Sequence, residues 1–218
     1  MTDHYERMAQ RVEALVRDPD VDLARPVPAC PGWTAWETFC HLAASVIDGG
    51  QGRIPDTIPP SAEWTARQVA DHRDRPLDDV LADWRAGREA LGPAVLENLQ
   101  IPLVFDGITH EHDIRAAVGR RGAEDDPTIT ALLDAVVPAW DGFLGDLPPI
   151  ALDDGTTVRR SPGDGEPGLV LRGSAFELLR ALSGRRSKDQ VRAMVVEGDF
   201  DRYADRLVLF DWPEEDQP

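Results

Sequence analysis

The sequence lacks the features that mark a secreted, membrane-spanning or thiol-zinc protein. Its only cysteines, Cys30 and Cys40, have neither the CxxC spacing of a zinc site nor the density of a disulfide framework, so buried thiols are expected. No apolar run reaches the length of a membrane span, and the N-terminal residues are charged where a signal peptide would be apolar. We therefore expect a cytoplasmic protein.

Basic residues are also scarce. The chain has 23 Lys and Arg against 40 Asp and Glu, which gives a formal net charge of -17. A charge of this sign repels phosphate backbones and anionic lipid headgroups. We therefore expect neither nucleic acid nor a membrane among its partners.

The 218 residues, 42% of them hydrophobic, are enough for a main domain and a smaller one. Apolar residues recur at helical spacing in five segments, and no strand pattern precedes residue 150. The predicted helices span 2–17, 34–48, 76 to a kink or end at Gly92-Pro93, 103–118 and 127–144. Four or five such helices are typical of an antiparallel bundle, which we assign to residues 1–148. The segment 61–75 is too polar to assign.

Local signals fix some of these ends. Thr34 and Glu37 form a capping-box pattern at the start of the second helix, and Gly49-Gly50 is expected to end it. Gly119 is suited to a left-handed cap after the fourth helix.

After residue 148 the pattern changes to short β-branched or apolar stretches. We predict strands at 156–159, 169–172 and 193–196, with a capping box beginning at Ser174. These elements indicate a small α+β domain over residues 149–212. The acidic tail, 213–218, is expected to be frayed.

Residues 105–115 are the stretch that most suggests chemistry. At about 100° per residue, Asp106, His110 and Asp113 share one helix face, whereas His112 lies roughly 200° from His110. That face continues into apolar residues, so its charged groups are expected to be paired or metal-bound. Glu111 and His112 are expected to face solvent.

Imidazole and carboxylate groups suit zinc, and catalytic zinc sites combine three protein ligands with an open position. Asp106 and His110 would supply two ligands. His41, on a polar stripe beside the apolar face of the second helix, is the best histidine for the third. Cys40 points about 100° away from His41 on that helix and is expected to pack in the core.

Alternatives exist for two of the acids. Because Pro102 lies just upstream, Asp106 could instead be a first-turn acid that interacts with the helix dipole. Asp113 could accept a hydrogen bond from His110, or lie on the surface and pair with Arg115 or Arg120.

Several stretches of the chain, taken in order, have a known counterpart. They are 30–34 (Cys-Pro-Gly-Trp-Thr), His41, the pair Asp106 and His110, 113–115, 170–175, 178–186 and 197–199. Together they resemble the mycothiol-dependent maleylpyruvate isomerase family. The resemblance implies a mainly α fold, in which a DinB-like antiparallel four-helix bundle that binds metal is followed by the small α+β domain.

The resemblance also implies a metal site of His41, Asp106 and His110. Asp106 stands where the family usually has a glutamate, which is one methylene longer. The implied cofactors are a divalent metal, zinc above all, and mycothiol as the thiol co-substrate. The metal would activate this low-molecular-weight thiol as a thiolate for addition to a small electrophile, in an isomerase or a thiol transferase.

Further implications concern the second domain and the assembly. In the family the C-terminal domain contributes an arginine towards the cleft, where it could pair with an anionic substrate. The candidates here are Arg172, Arg185 and Arg186. We expect a monomer or a weak dimer. Two other functions stay open: a metal- or ligand-binding bundle without turnover, and a metal-dependent hydrolase with Asp113 as the base.

Overall fold

The structure is a computed structural model that describes residues 2–57, 59–91 and 93–218. The chain forms two compact units, Met1–Gly122 and Ala123–Pro218. The segment 127–144, which the sequence analysis assigns to the bundle, lies in the second of these units. Within that unit, the helix Pro127–Val136 packs against the helix Ala175–Leu182.

The first unit consists of helices. They are α1 (Thr2–Arg17), α2 (Ala35–Gly50), α3 (Ala62–His72), α4 (Leu77–Ala90) and α5 (Pro93–Ala117). Helix α2 packs against α3, α4 and α5, and α1 packs against α5. The prediction of a mainly helical fold with an N-terminal helix bundle is confirmed. Helix α3 occupies the polar segment left unassigned, and the Ser61 hydroxyl caps it by accepting from the Trp64 amide.

Helix α2 begins as predicted and ends later than predicted. The Thr34 hydroxyl accepts from the Glu37 amide, and the Glu37 carboxylate accepts from the Thr34 amide. The helix then continues through Gly49 and Gly50. It ends at Gly50, where a Cβ would lie 2.7 Å from the carbonyl oxygen of Gly87, so this glycine permits close contact with α4.

Helix α5 begins at Pro93, well before the predicted start, and Gly92 lies outside the described residues. Its end is as predicted, because Gly119 has a φ of +69°. The expectation that Glu111 and His112 face solvent is wrong: they are 0% and 5% exposed. Helix α1 covers this face of α5, and Arg11 donates two hydrogen bonds of 2.8 and 2.7 Å to the Glu111 carboxylate.

The second unit combines helices with a four-stranded sheet. Its elements are α6 (Pro127–Val136), a 3₁₀ turn (Val137–Trp140), α7 (Asp141–Leu144), β1 (Ile150–Asp153), β2 (Val158–Arg160), β3 (Leu169–Arg172), α8 (Ala175–Leu182), α9 (Lys188–Ala193), β4 (Val195–Gly198) and α10 (Phe200–Tyr203). The strand order is β2-β1-β3-β4, with β1 parallel to β3 and the outer pairs antiparallel. Helix α6 packs on α8. The predicted α+β character is confirmed.

Three features of this unit differ from expectation. The segment 127–144 is divided at the 3₁₀ turn, where Pro138 has no amide hydrogen to continue the helix. The buried strand β1 was missed because its short apolar run shows no alternation. The expectation of a frayed tail is wrong, since Gln217 is buried and its backbone carbonyl accepts from the Gln190 amide at 2.7 Å.

No helix in the described part of the chain combines the length and the apolar character needed to cross a bilayer.

Candidate metal centre

Helices α2 and α5 bring His41, Asp106 and His110 together inside the first unit. The Nε2 atom of His41 lies 3.6 Å from Oδ1 of Asp106, and Nε2 of His110 lies 3.4 Å from the same oxygen. One potential ligand atom from each residue lies within 4.8 Å of the other two. The three residues predicted from the sequence therefore form one cluster.

The donor set fits a tetrahedral divalent ion. Metal–nitrogen and metal–oxygen bonds of roughly 2.0–2.2 Å place neighbouring ligand atoms about 3.3 Å apart, close to the two separations between the carboxylate and the imidazoles. Asp106 lies in the middle of α5, which begins at Pro93, so the alternative of a first-turn acid is excluded. Its side chain is 30% exposed, whereas those of His41 and His110 are 6% and 8% exposed.

Asp113 holds the opposite side of the His110 ring. Its Oδ2 lies 3.0 Å from Nδ1 of His110, one turn along α5. Asp113 is only 1% exposed, which excludes the surface alternative, and Arg115 pairs with Glu111. A carboxylate on the second nitrogen of a histidine is the usual companion of a metal-binding imidazole.

Gln68 plays the corresponding part for His41. Its Oε1 lies 2.9 Å from Nδ1 of His41, and the side chain comes from α3. Gln68 is 2% exposed. Sequence reasoning missed this residue because α3 lies in a segment without a clear apolar stripe, and its only local signal is the N-cap Ser61.

The charged groups of the cluster shift the pKa values of Asp106 and His110 in opposite directions. Burial by itself raises the pKa of Asp106, but the charges of His110 and His41 outweigh it and hold that pKa well below its usual range. Burial opposes charge on His110 as well, yet Asp106 and Asp113 raise its pKa well above the ordinary value. Binding a cation at Nε2 of His110 would therefore displace a proton.

Cys30 lies on the far side of His110. Its Sγ is 3.5 Å from Oδ2 of Asp113 and 3.8 Å from Nδ1 of His110, so these three form a second group that could hold a metal. The two groups use opposite nitrogens of the same ring. The sequence predicted a buried thiol but not its place beside the site. Cys40 packs in the core as predicted, and burial raises its pKa to about 12.

Trp33, from the motif that follows Cys30, lies against the site. Its ring centroid is 5.2 Å from that of His41, with the planes tilted by 49°. The His41 and His110 rings are nearly perpendicular at 5.1 Å. The indole of Trp33 therefore lies on one side of the two crossed imidazoles and restricts how the His41 ring can turn.

The three candidate arginines lie in the second unit. Arg172 pairs with Asp153 at 2.8 Å, and Arg186 donates to Glu177 at 2.6 Å. The guanidinium of Arg185 stacks over the ring of Phe210.

One family model matches the N-terminal part of the chain. Residues 5–100 match the mycothiol maleylpyruvate isomerase N-terminal domain. Two crystal structures of mycothiol-dependent maleylpyruvate isomerase, one of them a histidine-to-alanine mutant, align with TM-scores of 0.49 over 84% of this chain and 85% of theirs, at 16% and 15% identity. No curated protein sequence matches the chain. The family match confirms the resemblance over residues 5–100, a range that includes His41 and ends before Asp106.

Proposed function

Because residues 5–100 match the mycothiol maleylpyruvate isomerase N-terminal domain, we propose that the chain binds a divalent metal and uses a low-molecular-weight thiol, mycothiol, on a small electrophile. The reaction would be an isomerisation or a thiol transfer. The observation that carries the proposal is the convergence of His41 and His110, through Nε2, on one oxygen of Asp106.

Two imidazoles and one carboxylate favour zinc among the common divalent ions, and three protein ligands leave a position for a small molecule. When bound, the metal supplies positive charge that stabilises the thiolate form of the thiol, which is the nucleophilic form. The chain's own groups hold and orient that centre.

Each residue has a distinct part in this proposal. His41 and His110 present Nε2, and Gln68 and Asp113 hold their rings from behind. Asp106 is the most exposed of the three ligands, so a thiol approaches past its carboxylate. Asp113 is buried and hydrogen-bonded to His110, which makes it a support for that ring and a poor general base for hydrolysis.

Metal analysis tests the site. Purified protein is expected to carry or accept one divalent ion per chain, and His41→Ala and His110→Ala are expected to lose it. His72→Ala is the matched control, because His72 is also buried but its Nδ1 bonds to the backbone oxygen of Gln68. Absence of a bound ion in the parent protein, or its retention in both site variants, would refute the proposal.

Thiol binding tests the chemistry. Cobalt-substituted protein is titrated with mycothiol, and a sulfur-to-cobalt charge-transfer band is expected that does not form in His110→Ala. Free thiol is then followed during turnover of maleylpyruvate. A constant thiol concentration with product formation indicates isomerisation, whereas loss of thiol indicates transfer; metal binding without any thiol band would rule out both.

A further inference from the structure

Gln68 links the candidate metal centre to a buried carboxylate. On one side its Oε1 faces Nδ1 of His41 at 2.9 Å, and on the other its Nε2 donates to Oδ2 of Asp48 at 2.9 Å. Asp48 is 2% exposed and comes from α2, two turns after His41. A chain of hydrogen bonds therefore runs from Asp48 through Gln68 to the imidazole.

The direction of this chain follows from Asp48. Arg53 donates to Oδ1 through Nε at 2.8 Å and also through Nη2, and Arg67 donates to Oδ2 at 3.0 Å. A carboxylate that receives these donors can only accept. The amide nitrogen of Gln68 must then face Asp48, because the opposite orientation would set two acceptor oxygens against each other.

The orientation of the amide decides the tautomer of His41. With its oxygen towards the ring, Gln68 requires a hydrogen on Nδ1, and the neutral imidazole then carries its lone pair on Nε2. Nε2 is the atom that faces Asp106. Only this tautomer can bind a metal there.

We propose that Asp48 and Gln68 are positioning residues that hold His41 in the Nδ1-protonated tautomer and so keep Nε2 available as a ligand. This inference rests on the proposed metal site for its purpose. The tautomer itself is a property of the metal-free protein and can be measured separately.

Asp48→Asn tests the direction of the chain. Arg53 holds Oδ1 with two N–H groups, whereas Oδ2 has one arginine donor, Arg67, which also pairs with Asp71 and can turn to it. The single oxygen of the asparagine is therefore expected to take the place of Oδ1, and its NH₂ to face Gln68. Gln68 is then expected to turn over and donate to Nδ1 of His41, which moves the ring hydrogen to Nε2. Metal affinity is expected to fall about 10–100-fold, the usual effect of losing such support.

The tautomer is read by long-range ¹H–¹⁵N NMR of the imidazoles in metal-free protein, and the affinity by chelator competition with zinc. Asp71→Asn is the matched control, because Asp71 pairs with the same Arg67, at 3.2 Å, but is exposed. It is expected to change neither reading. Gln68→Met keeps Asp48 with its arginines and removes the acceptor, so it is expected to give a mixture of tautomers.

A double variant supplies the rescue. In Asp48→Asn with Gln68→Glu, the glutamate accepts at both ends, from the asparagine NH₂ and from Nδ1 of His41. The original tautomer and most of the affinity are expected to return, although neither original residue is present. Such a recovery would not follow from a purely structural role.

Three results would overturn the inference: an unchanged His41 tautomer in Asp48→Asn, a changed tautomer with unchanged metal affinity in that variant, or no recovery of the tautomer in the double variant. If the parent protein binds no divalent ion, the proposed function fails, while the NMR comparison still decides the role of Asp48 and Gln68.

Discussion

Nε2 of His110 lies 3.4 Å from Oδ1 of Asp106, one turn earlier on α5, and His41 reaches the same oxygen from α2. If that oxygen binds the metal, the negative charge of the side chain is expected to affect metal affinity more than the length of the side chain does. Asp106→Asn is expected to weaken zinc binding at least tenfold, and Asp106→Glu, with one more methylene, to bind at least as tightly as the parent. Chelator competition measures both. Equal affinity in all three proteins would show that Asp106 does not touch the ion.

His110 belongs to two possible metal sites, one with His41 and Asp106 and one with Cys30 and Asp113, and experiment can tell them apart. If the metal lies at Nε2, Cys30 is not a ligand, and Cys30→Ser is expected to retain one ion per chain. Cobalt-loaded parent protein should then show no sulfur-to-cobalt band before thiol is added. A band that is present in the parent and lost in Cys30→Ser would place the metal at Nδ1 of His110 with Cys30 and Asp113.

Helical periodicity could predict only those site residues that lie on the same helix, α5. It predicted that Asp106, His110 and Asp113 share a face, and the structure confirms this by placing both acids against His110. His41 came from the family pattern together with its place on a polar stripe. Gln68 could not be predicted, because its part depends on how α3 folds back onto α2, and the α3 sequence has no strong helical signal.

The errors have the same physical origin. Glu111 was expected at the surface because a charged residue opposite an apolar face normally faces water. It is buried because Arg11, a hundred positions away in sequence, supplies a bidentate partner from α1. Similarly, Gly49 and Gly50 were expected to follow the end of α2 but form its last two residues, and the close contact with α4 that Gly50 permits depends on two helices and not on one.

The Arg11–Glu111 pair is expected to matter for stability. Its carboxylate is fully buried and the Arg11 side chain is 23% exposed, so Arg11→Met leaves Glu111 with one fewer charged donor. We expect a loss of about 1–3 kcal/mol in the free energy of unfolding. Asp78→Ala, which removes the exposed Arg17–Asp78 pair, is the control and should cost under about 1 kcal/mol. Urea denaturation gives both values, and equal losses would contradict the argument.

Gly87 tests the contact between α2 and α4. A Cβ there would lie 3.0 Å from the Cα of Ile47 and from the carbonyl oxygen of Val46, both backbone atoms that cannot turn aside. Gly87→Ala is expected to destabilise the protein by about 1–3 kcal/mol despite the better helix propensity of alanine. Gly142→Ala, where nothing lies within 4 Å, is expected to be neutral or stabilising. Thermal unfolding of the two variants compares them directly, and a stabilised Gly87→Ala would show that the helices separate easily.

The ion pair between Asp154 and Arg159 is expected to make the stability of the second unit depend on pH in the acid range. Arg159 donates to its Oδ2 at 2.6 Å, and this bond, with the backbone amide of Thr157, lowers the pKa of Asp154. A carboxylate whose pKa is lower in the folded state stabilises the fold above its unfolded value, about 3.9, and loses that contribution as the pH falls through the folded value. Asp154→Asn is therefore expected to lower the melting temperature at pH 7 and to lose less stability than the parent between pH 5 and about pH 2. Asp164 is exposed, and Asp164→Asn is expected to show the same dependence of melting temperature on pH as the parent protein. Identical pH profiles for the parent and Asp154→Asn would contradict the assignment.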